Sequence, residues 1–561
     1  MLRMTRLLYL GPGVALLSGL WMVLLCVPLV EAGRDAPASN PDEACASCHR
    51  EIYERYKQTP MGRASGPAAE GFVAADFVEG VSGVHYRVTE DAGRVWLSYE
   101  REALTRGALG TLQGRQELKY FIGSGKRGRT YLFEQQGYWF EAPINWYAKK
   151  QVWDMTPHYL AAREMPLTLP VDPGCLHCHA TGVNSALPDA RNHFAGDPFA
   201  EGGIRCASCH GDGSAHVASG GKVRMLDIGG LEPVRRDSVC LNCHLEGQVG
   251  VDRLGKRIEK FEPGDDLFDY TLFFVYGNEN GSGGRATSQW ESLLKSACKR
   301  KSGDKLTCTT CHDPHGSPAP EERIAFYREK CLACHGGASF SEKHHPENLD
   351  CTSCHMARPP SSDIAHELVT DHWIRKRVSQ ERQALATSGE LVTVGGKQAI
   401  DRELGLAYGQ MAVRGDRAAA THALELLRRA EREGSEAERD HELHTQLGLL
   451  EQIDGETEAA AKEYRLALAA DGYDAVAAGN LALIEARRHN VSEAIRLWEL
   501  VVERNPAELK AGMNLAVVEC AVGERDAAVA TLARMLTFAP DDTAARDFAE
   551  QIRTGNRKCG E

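Results

Sequence analysis

The chain has 561 residues, enough for three or four domains, a hydrophobic content of 43% that is ordinary for globular protein, and a formal net charge of −13. That acidity argues against a nucleic-acid surface, which must present Lys and Arg to phosphates. It is compatible with partners that carry basic docking surfaces.

The N-terminus carries Arg3 and Arg6, an apolar run over residues 7–30, and then Glu31-Ala32-Gly33. Basic, apolar, then small and polar is the order of an export signal, and Val30 and Ala32 supply a small-residue cleavage site. The run is long enough to stay as an anchor, although Gly11, Pro12, Gly13 and Pro28 interrupt a membrane helix and favour cleavage. Residues 1–32 therefore read as a signal peptide or N-terminal anchor, and the body as exported, periplasmic or cell-surface. Residues 33–80 begin with a polar, proline-bearing linker and reach Cys45-Ala46-Ser47-Cys48-His49. A short helix from Ile52 follows, stopped by Pro60 just before Met61.

Two cysteines separated by two residues can add to the two vinyl groups on one edge of a haem, and the histidine directly after them reaches the iron from one face. The pattern occurs seven times, numbered here as sites 1 to 7: Cys45/Cys48/His49, Cys175/Cys178/His179, Cys206/Cys209/His210, Cys240/Cys243/His244, Cys308/Cys311/His312, Cys331/Cys334/His335 and Cys351/Cys354/His355. Zinc sites also combine cysteine pairs with histidine, but they usually place the second ligand pair at a distance. A disulfide framework would not require the histidine. The expectation is seven covalently attached haem c groups, with His49, His179, His210, His244, His312, His335 and His355 as proximal iron ligands.

Residues 81–165 contain no such motif and read as a β-rich insert. Tyr86 and Val88, a turn at Asp91-Ala92-Gly93, then Val95, Leu97 and Tyr99 alternate as a hairpin. Tyr131-Leu132-Phe133, a turn near Gln136-Gly137, and Tyr138-Trp139-Phe140 suggest a second, and His85 reads as a strand histidine. Residues 166–378 hold the other six sites with little periodicity, as expected where haems form the apolar interior. In residues 379–561, Leu447-Gly448, Ala460, Tyr464 and Ala467 recur 34 residues later as Leu481-Ala482, Ala494, Trp498 and Val501, and again as Leu515-Ala516, Ala528, Leu532 and Met535. That period is the tetratricopeptide signature, with a degenerate copy near 400–433. His422, His441, His444 and His489 read as solvent or packing residues, Cys520 as a small buried residue and Cys559 as a tail thiol.

Each iron has a second face. His315 lies three residues past His312, too near to pass around the same macrocycle, so it is available to a neighbouring iron. His216 follows site 3 through glycines that permit a reversal, and His366 and His372 follow site 7. These four are the distal-ligand candidates. Met61 is a further candidate, as a thioether that raises the potential, and so is His158. His193, His344 and His345 are weaker, and His177 weaker still.

The order of Cys-x-x-Cys-His, Ile122-Gly123-Ser124-Gly125, Arg129-Thr130-Tyr131-Leu132, Trp153-Asp154-Met155-Thr156-Pro157, the site 3 segment to His216, the site 5 segment to His315, and Asp371-His372 resembles a family of exported multihaem c-type cytochromes with C-terminal tetratricopeptide repeats. That family is related to the tetrahaem cytochromes of nitrifying bacteria. The resemblance implies electron transfer through stacked, mostly bis-histidine haems. Relatives often have histidine where this chain has Met61, Arg127 and Gln289, and glycine where it has His158, so the distal set is not carried over whole.

The fold expected is a multihaem cytochrome c domain, mostly loops and short helices around stacked haems with a small β-hairpin insert, followed by an all-α tetratricopeptide repeat solenoid. The function expected is that of an electron-transfer protein whose repeats dock a redox partner. Two alternatives are an oxidoreductase acting on a small nitrogen or sulfur compound at an open axial position, and a redox-sensing scaffold.

Overall fold

The computed structural model describes residues 41–102, 111–160, 162–187, 190–277, 289–336, 349–356, 358, 370–376, 389–433 and 437–561. Both hairpins form. β3 (His85–Asp91) and β4 (Arg94–Arg101) join through Ala92 and Gly93, at φ +53° and +77°. β6 (Gly128–Gln135) and β7 (Tyr138–Tyr147) join through Gln136 and Gly137, at +56° and +85°. Positive φ at both central residues gives the turn whose twist matches that of the strands it connects.

These hairpins belong to a larger sheet than the insert expected. With β1 (Ser65–Pro67), β2 (Ala75–Val78), β5 (Leu112–Ile122) and β8 (Val152–Met155) they form eight antiparallel strands, ordered β2-β3-β4-β5-β6-β7-β8 with β1 on β5. The sheet starts at Ser65, ahead of the expected boundary at 81. β1 and β2 are three and four residues long, too short to show a period. Tyr86, Val88, Val95, Leu97 and Tyr99 are buried on one face, as the alternation required.

Two smaller sheets follow. β9 (Ala180–Val183) pairs with β10 (Phe199–Gly202), and β11 (Val249–Asp252) pairs with β12 (Thr271–Tyr276), which also pairs with β13 (Leu391–Thr393). β13 lies past residue 379, so the expected boundary there does not separate two cores. One apolar cluster runs from Leu241 and Phe274 through Trp290 to Leu406 and Leu450.

The repeats are helix pairs. Their first helices begin at His441, Ala475 and Leu509, and a closing helix begins at Thr543; the second helices begin at Thr457, Val491 and Arg525. Both series keep the 34-residue period. Leu447, Leu481 and Leu515 are buried at equivalent places, as are Ala460, Ala494 and Ala528. The degenerate copy is the pair Asp401–Val413 and Arg417–Glu433. Cys520 and Cys559 are not separate thiols: they form a disulfide that ties the tail to the last repeat.

The repeat array is fastened at both ends. At its start the degenerate pair shares the core of β11 to β13. At its far end Phe538 enters the core of the large sheet, Tyr138 donates to the Arg504 carbonyl at 2.7 Å, and buried Arg101 pairs with buried Asp541. Asp541 also accepts from Arg546 at 2.7 Å and from the Met165 amide at 2.7 Å.

Candidate haem centres

All seven motifs sit at a helix end. α1 (Pro41–Tyr56) carries site 1, kinking at His49 with φ −109° and ψ 39°, and α2 (Pro173–His179) carries site 2. α3 (Ala207–His210) ends on His210 of site 3 and is followed by α4 (Ser214–Ala218), while α5 (Pro233–His244) ends on His244. α6 (Gln289–Lys295) and α7 (Ala297–Ser302) precede α8 (Cys308–Cys311) of site 5. α9 (Arg323–His335) and the helix Cys351–His355 end on the histidines of sites 6 and 7. Residues three apart on a helix share a face, so each cysteine pair points one way while the histidine closes the turn. Proline at the helix starts, at 173 and 233, costs no hydrogen bond, and Asp350 accepts from the Thr352 and Ser353 amides at 3.0 and 3.3 Å.

Among the described residues, three motif imidazoles face a second imidazole from another segment. His49 and His216 lie with ring centroids 6.4 Å apart and planes 16° from parallel. His210 and His315 stand at 5.9 Å and 8°, and His312 and His372 at 6.1 Å and 34°. Two imidazoles on one metal ion, each bonded at about 2 Å, bring their centroids roughly 6 Å apart once a ring radius of about 1.1 Å is added at each end.

The protonation chemistry fits. His216 Nδ1 lies 2.7 Å from the Val223 carbonyl, His372 Nδ1 3.1 Å from that of Thr370, and His355 Nδ1 2.6 Å from that of Arg375. A carbonyl can only accept, so each Nδ1 carries the proton and Nε2 keeps its lone pair for a metal. Burial pushes the pKa of His210, His244, His312 and His372 below the usual imidazole range, with neighbouring imidazoles adding to it. The neutral ring is the ligating form.

Thiols of different sites meet. Cys45 hydrogen-bonds Cys206, Cys178 bonds Cys243, Cys240 bonds Cys308, and Cys331 bonds Cys351. Around sites 5 to 7 the polypeptide supplies no apolar interior: among the described residues of 297–376 no hydrophobic side chain is fully buried. α9 buries none of its residues, and Ile324 is 47% exposed. A helix with nothing to pack against is stable only if something apolar covers it, and a macrocycle held by adjacent thiols would do so.

The remaining sequence candidates fall elsewhere. His216, and not Met61, stands across from His49; the Met61 carbonyl accepts from Ala64 and Ile204 at 3.1 and 3.0 Å. His366, His344, His345 and the side chain of His158 lie outside the described residues. His193 stacks on Tyr138 at 4.1 Å, His85 pairs with Asp76, His422 packs on Tyr408, and His441 pairs with Asp474. His444 is buried against Glu463 at 2.8 Å. Sequence reasoning missed Tyr327, whose hydroxyl is 3.4 Å from His312 Nδ1, and the Arg55–Asp313 pair that fixes the loop bearing His315 to α1. Neither has a sequence signal, because both depend on segments brought together by folding.

Repeated attachment motifs, paired imidazoles and a missing apolar interior define a multihaem c-type cytochrome. Comparison with known proteins agrees. Residues 300–340 match the family model of the doubled CXXCH motif, and residues 147–211 match that of cytochrome c554 and c-prime. The chain is similar to the nine-heme cytochrome c of Desulfovibrio desulfuricans, 32% identical over 77 residues, covering 13% of this chain and 23% of that protein. It is also similar to the multiheme cytochrome MtrA of Shewanella baltica, 25% identical over 187 residues, covering 29% of this chain and 51% of that protein. The chain thus spans about half, or less, of the curated relatives it matches. Among solved structures, a MamA double mutant aligns with 28% of this chain and 87% of its own at 16% identity and a TM-score of 0.25.

Proposed function

We propose that the chain carries seven covalent haems c and passes electrons between protein partners in an exported assembly, the repeats serving to dock a partner. Covalent haem iron supplies one-electron exchange without substrate chemistry. The observation that carries the reading is the set of three imidazole pairs, 5.9 to 6.4 Å apart. His216, His315 and His372 are proposed as distal ligands at sites 1, 3 and 5, each supplied by a different part of the chain. Six-coordinate iron exchanges electrons with little rearrangement and leaves no position for substrate. Export is supported by the basic and apolar N-terminus; among the described residues no helix is long and apolar enough to cross a membrane.

An oxidoreductase reading attaches to site 4, where His244 hydrogen-bonds the Gln289 side chain. Low-temperature electron paramagnetic resonance of the oxidised protein separates the two. Low-spin ferric signals accounting for all irons support electron transfer; a substantial high-spin signal that moves with nitrite or hydroxylamine supports the enzyme. Mass spectrometry of the intact protein counts the haems.

A further inference from the structure

Site 4 differs from the other six in where its two cysteines point. Cys243 hydrogen-bonds Cys178 of site 2, and its sulfur lies 3.9 Å from the carbonyl of His177 on the same helix. Cys240 instead hydrogen-bonds Cys308 of site 5. Cys209 of site 3 lies within electrostatic range of both site 4 thiols. Three sites therefore border this one, through different atoms.

The lines leading away can be followed. Site 3 continues to site 1 through the Cys45–Cys206 contact, the Cys206 amide donating to Asp42 of α1 at 3.0 Å, and His216 facing His49. Site 5 continues to site 6 through Tyr327 of α9, whose ring is 5.7 Å from that of His312. Site 6 continues to site 7 through the Cys331–Cys351 contact and the Arg328 guanidinium, which donates to the Leu349 carbonyl at 3.4 Å. Site 2 leads under the large sheet, where Leu176 and Val171 pack with Trp139.

We infer that site 4 is a three-way junction, at which the line from site 1 through site 3, the line from site 7 through sites 6 and 5, and a side branch to site 2 all meet. The inference rests on the electron-transfer reading and specifies its route. Burial agrees with it. α5 carries site 4 with Asp237, Ser238, Val239, Leu241 and Asn242 buried, whereas α3, α8, α9 and the helix Cys351–His355 bury none of their residues. A point where three lines must keep register is thus set in the polypeptide core, while Cys48, Cys334 and Cys354 are exposed at the outer ends. Exchange with partners is then assigned to the two exposed ends, and an electron on site 2 returns through site 4.

Iron anomalous scattering from crystals of the purified holoprotein tests this directly. The three irons nearest that of site 4 are expected to be those of sites 2, 3 and 5. An iron of site 1, 6 or 7 nearer than any of those three overturns the junction. A second test uses His372→Met, because a thioether in place of an imidazole raises the potential of the iron it ligates. Site 5 is then reduced earlier, and site 4, titrating beside a reduced neighbour, is expected to show a lowered midpoint in spectroelectrochemistry. A site 4 midpoint that stays in place while site 5 moves overturns the contact between them. The electron-transfer reading fails separately, by the spin-state measurement above, and iron positions decide the junction whichever way that falls.

Discussion

The stretch around sites 5 to 7 and the repeat array are both built from helices, yet they differ in what fills the space between them. Each repeat pair closes on its own side chains: the helix His441–Asp454 buries Leu443, Leu447 and Leu450, and its partner Thr457–Ala470 buries Ala460, Ala461, Tyr464 and Ala467. Burying a Leu fully stabilises by about 1.5–3 kcal/mol, enough for a few such residues to fix a helix pair. α9 is of similar length and buries nothing. The difference teaches that the same secondary structure can be held by two kinds of interior, one encoded in apolar periodicity and one brought by a cofactor.

Producing the chain without haem attachment should break that comparison most sharply. Hydrogen exchange is expected to show protection kept over the repeat helices and the large sheet and lost across residues 297–376. Equal protection in both regions would mean that the polypeptide alone orders the sites. The next largest effect is expected where the two regions are fastened together. Asp541→Ala leaves Arg101 buried without its carboxylate, and a loss of about 3–5 kcal/mol in denaturant unfolding is expected.

Reduction of Cys520–Cys559 tests the repeats alone. The bridge closes a 39-residue separation and should contribute about 3–4 kcal/mol through the unfolded chain, with the loss confined to the helices Arg525–Phe538 and Thr543–Thr554. Calorimetry before and after reduction checks the size and hydrogen exchange the place.

A smaller effect sits on the other side of the comparison. Burial raises the pKa of Glu141, on β7, to about 7 from its usual 4.5. Because the folded value is the higher one, its contribution is intact below pH 4.5 and is lost as pH rises toward 7. Glu141→Gln should remove that loss and raise stability at pH 8 by up to about 3 kcal/mol, flattening the dependence between pH 4.5 and 7. An unchanged pH profile would show that Glu141 is solvated in the folded protein.

Much of the candidate site was legible in the sequence because attachment is local chemistry. Two cysteines and a histidine within five residues need no tertiary contact to be recognised, and His315 could be denied to its own iron by spacing alone. The 34-residue period likewise survived into the structure, since each repeat has to bury the same positions against its neighbour. The distal faces were less legible. His216 could be named as a candidate, but that it faces His49 depends on α4 lying against α1, and that His372 faces His312 depends on a loop arriving from beyond site 7.

What the sequence by itself determined is therefore whatever neighbouring residues enforce: the seven attachment motifs, the hairpin turns at Ala92-Gly93 and Gln136-Gly137, and the repeats. Tertiary structure alone decided the full extent of the sheet, the Cys520–Cys559 bridge, the fastening of the repeats at both ends, and which sites adjoin. The physical reason is one of range. Turns, helix faces and chelating motifs are set by bonds a few residues apart, whereas a contact such as Cys240 with Cys308 exists only once burial has brought distant segments to the same place.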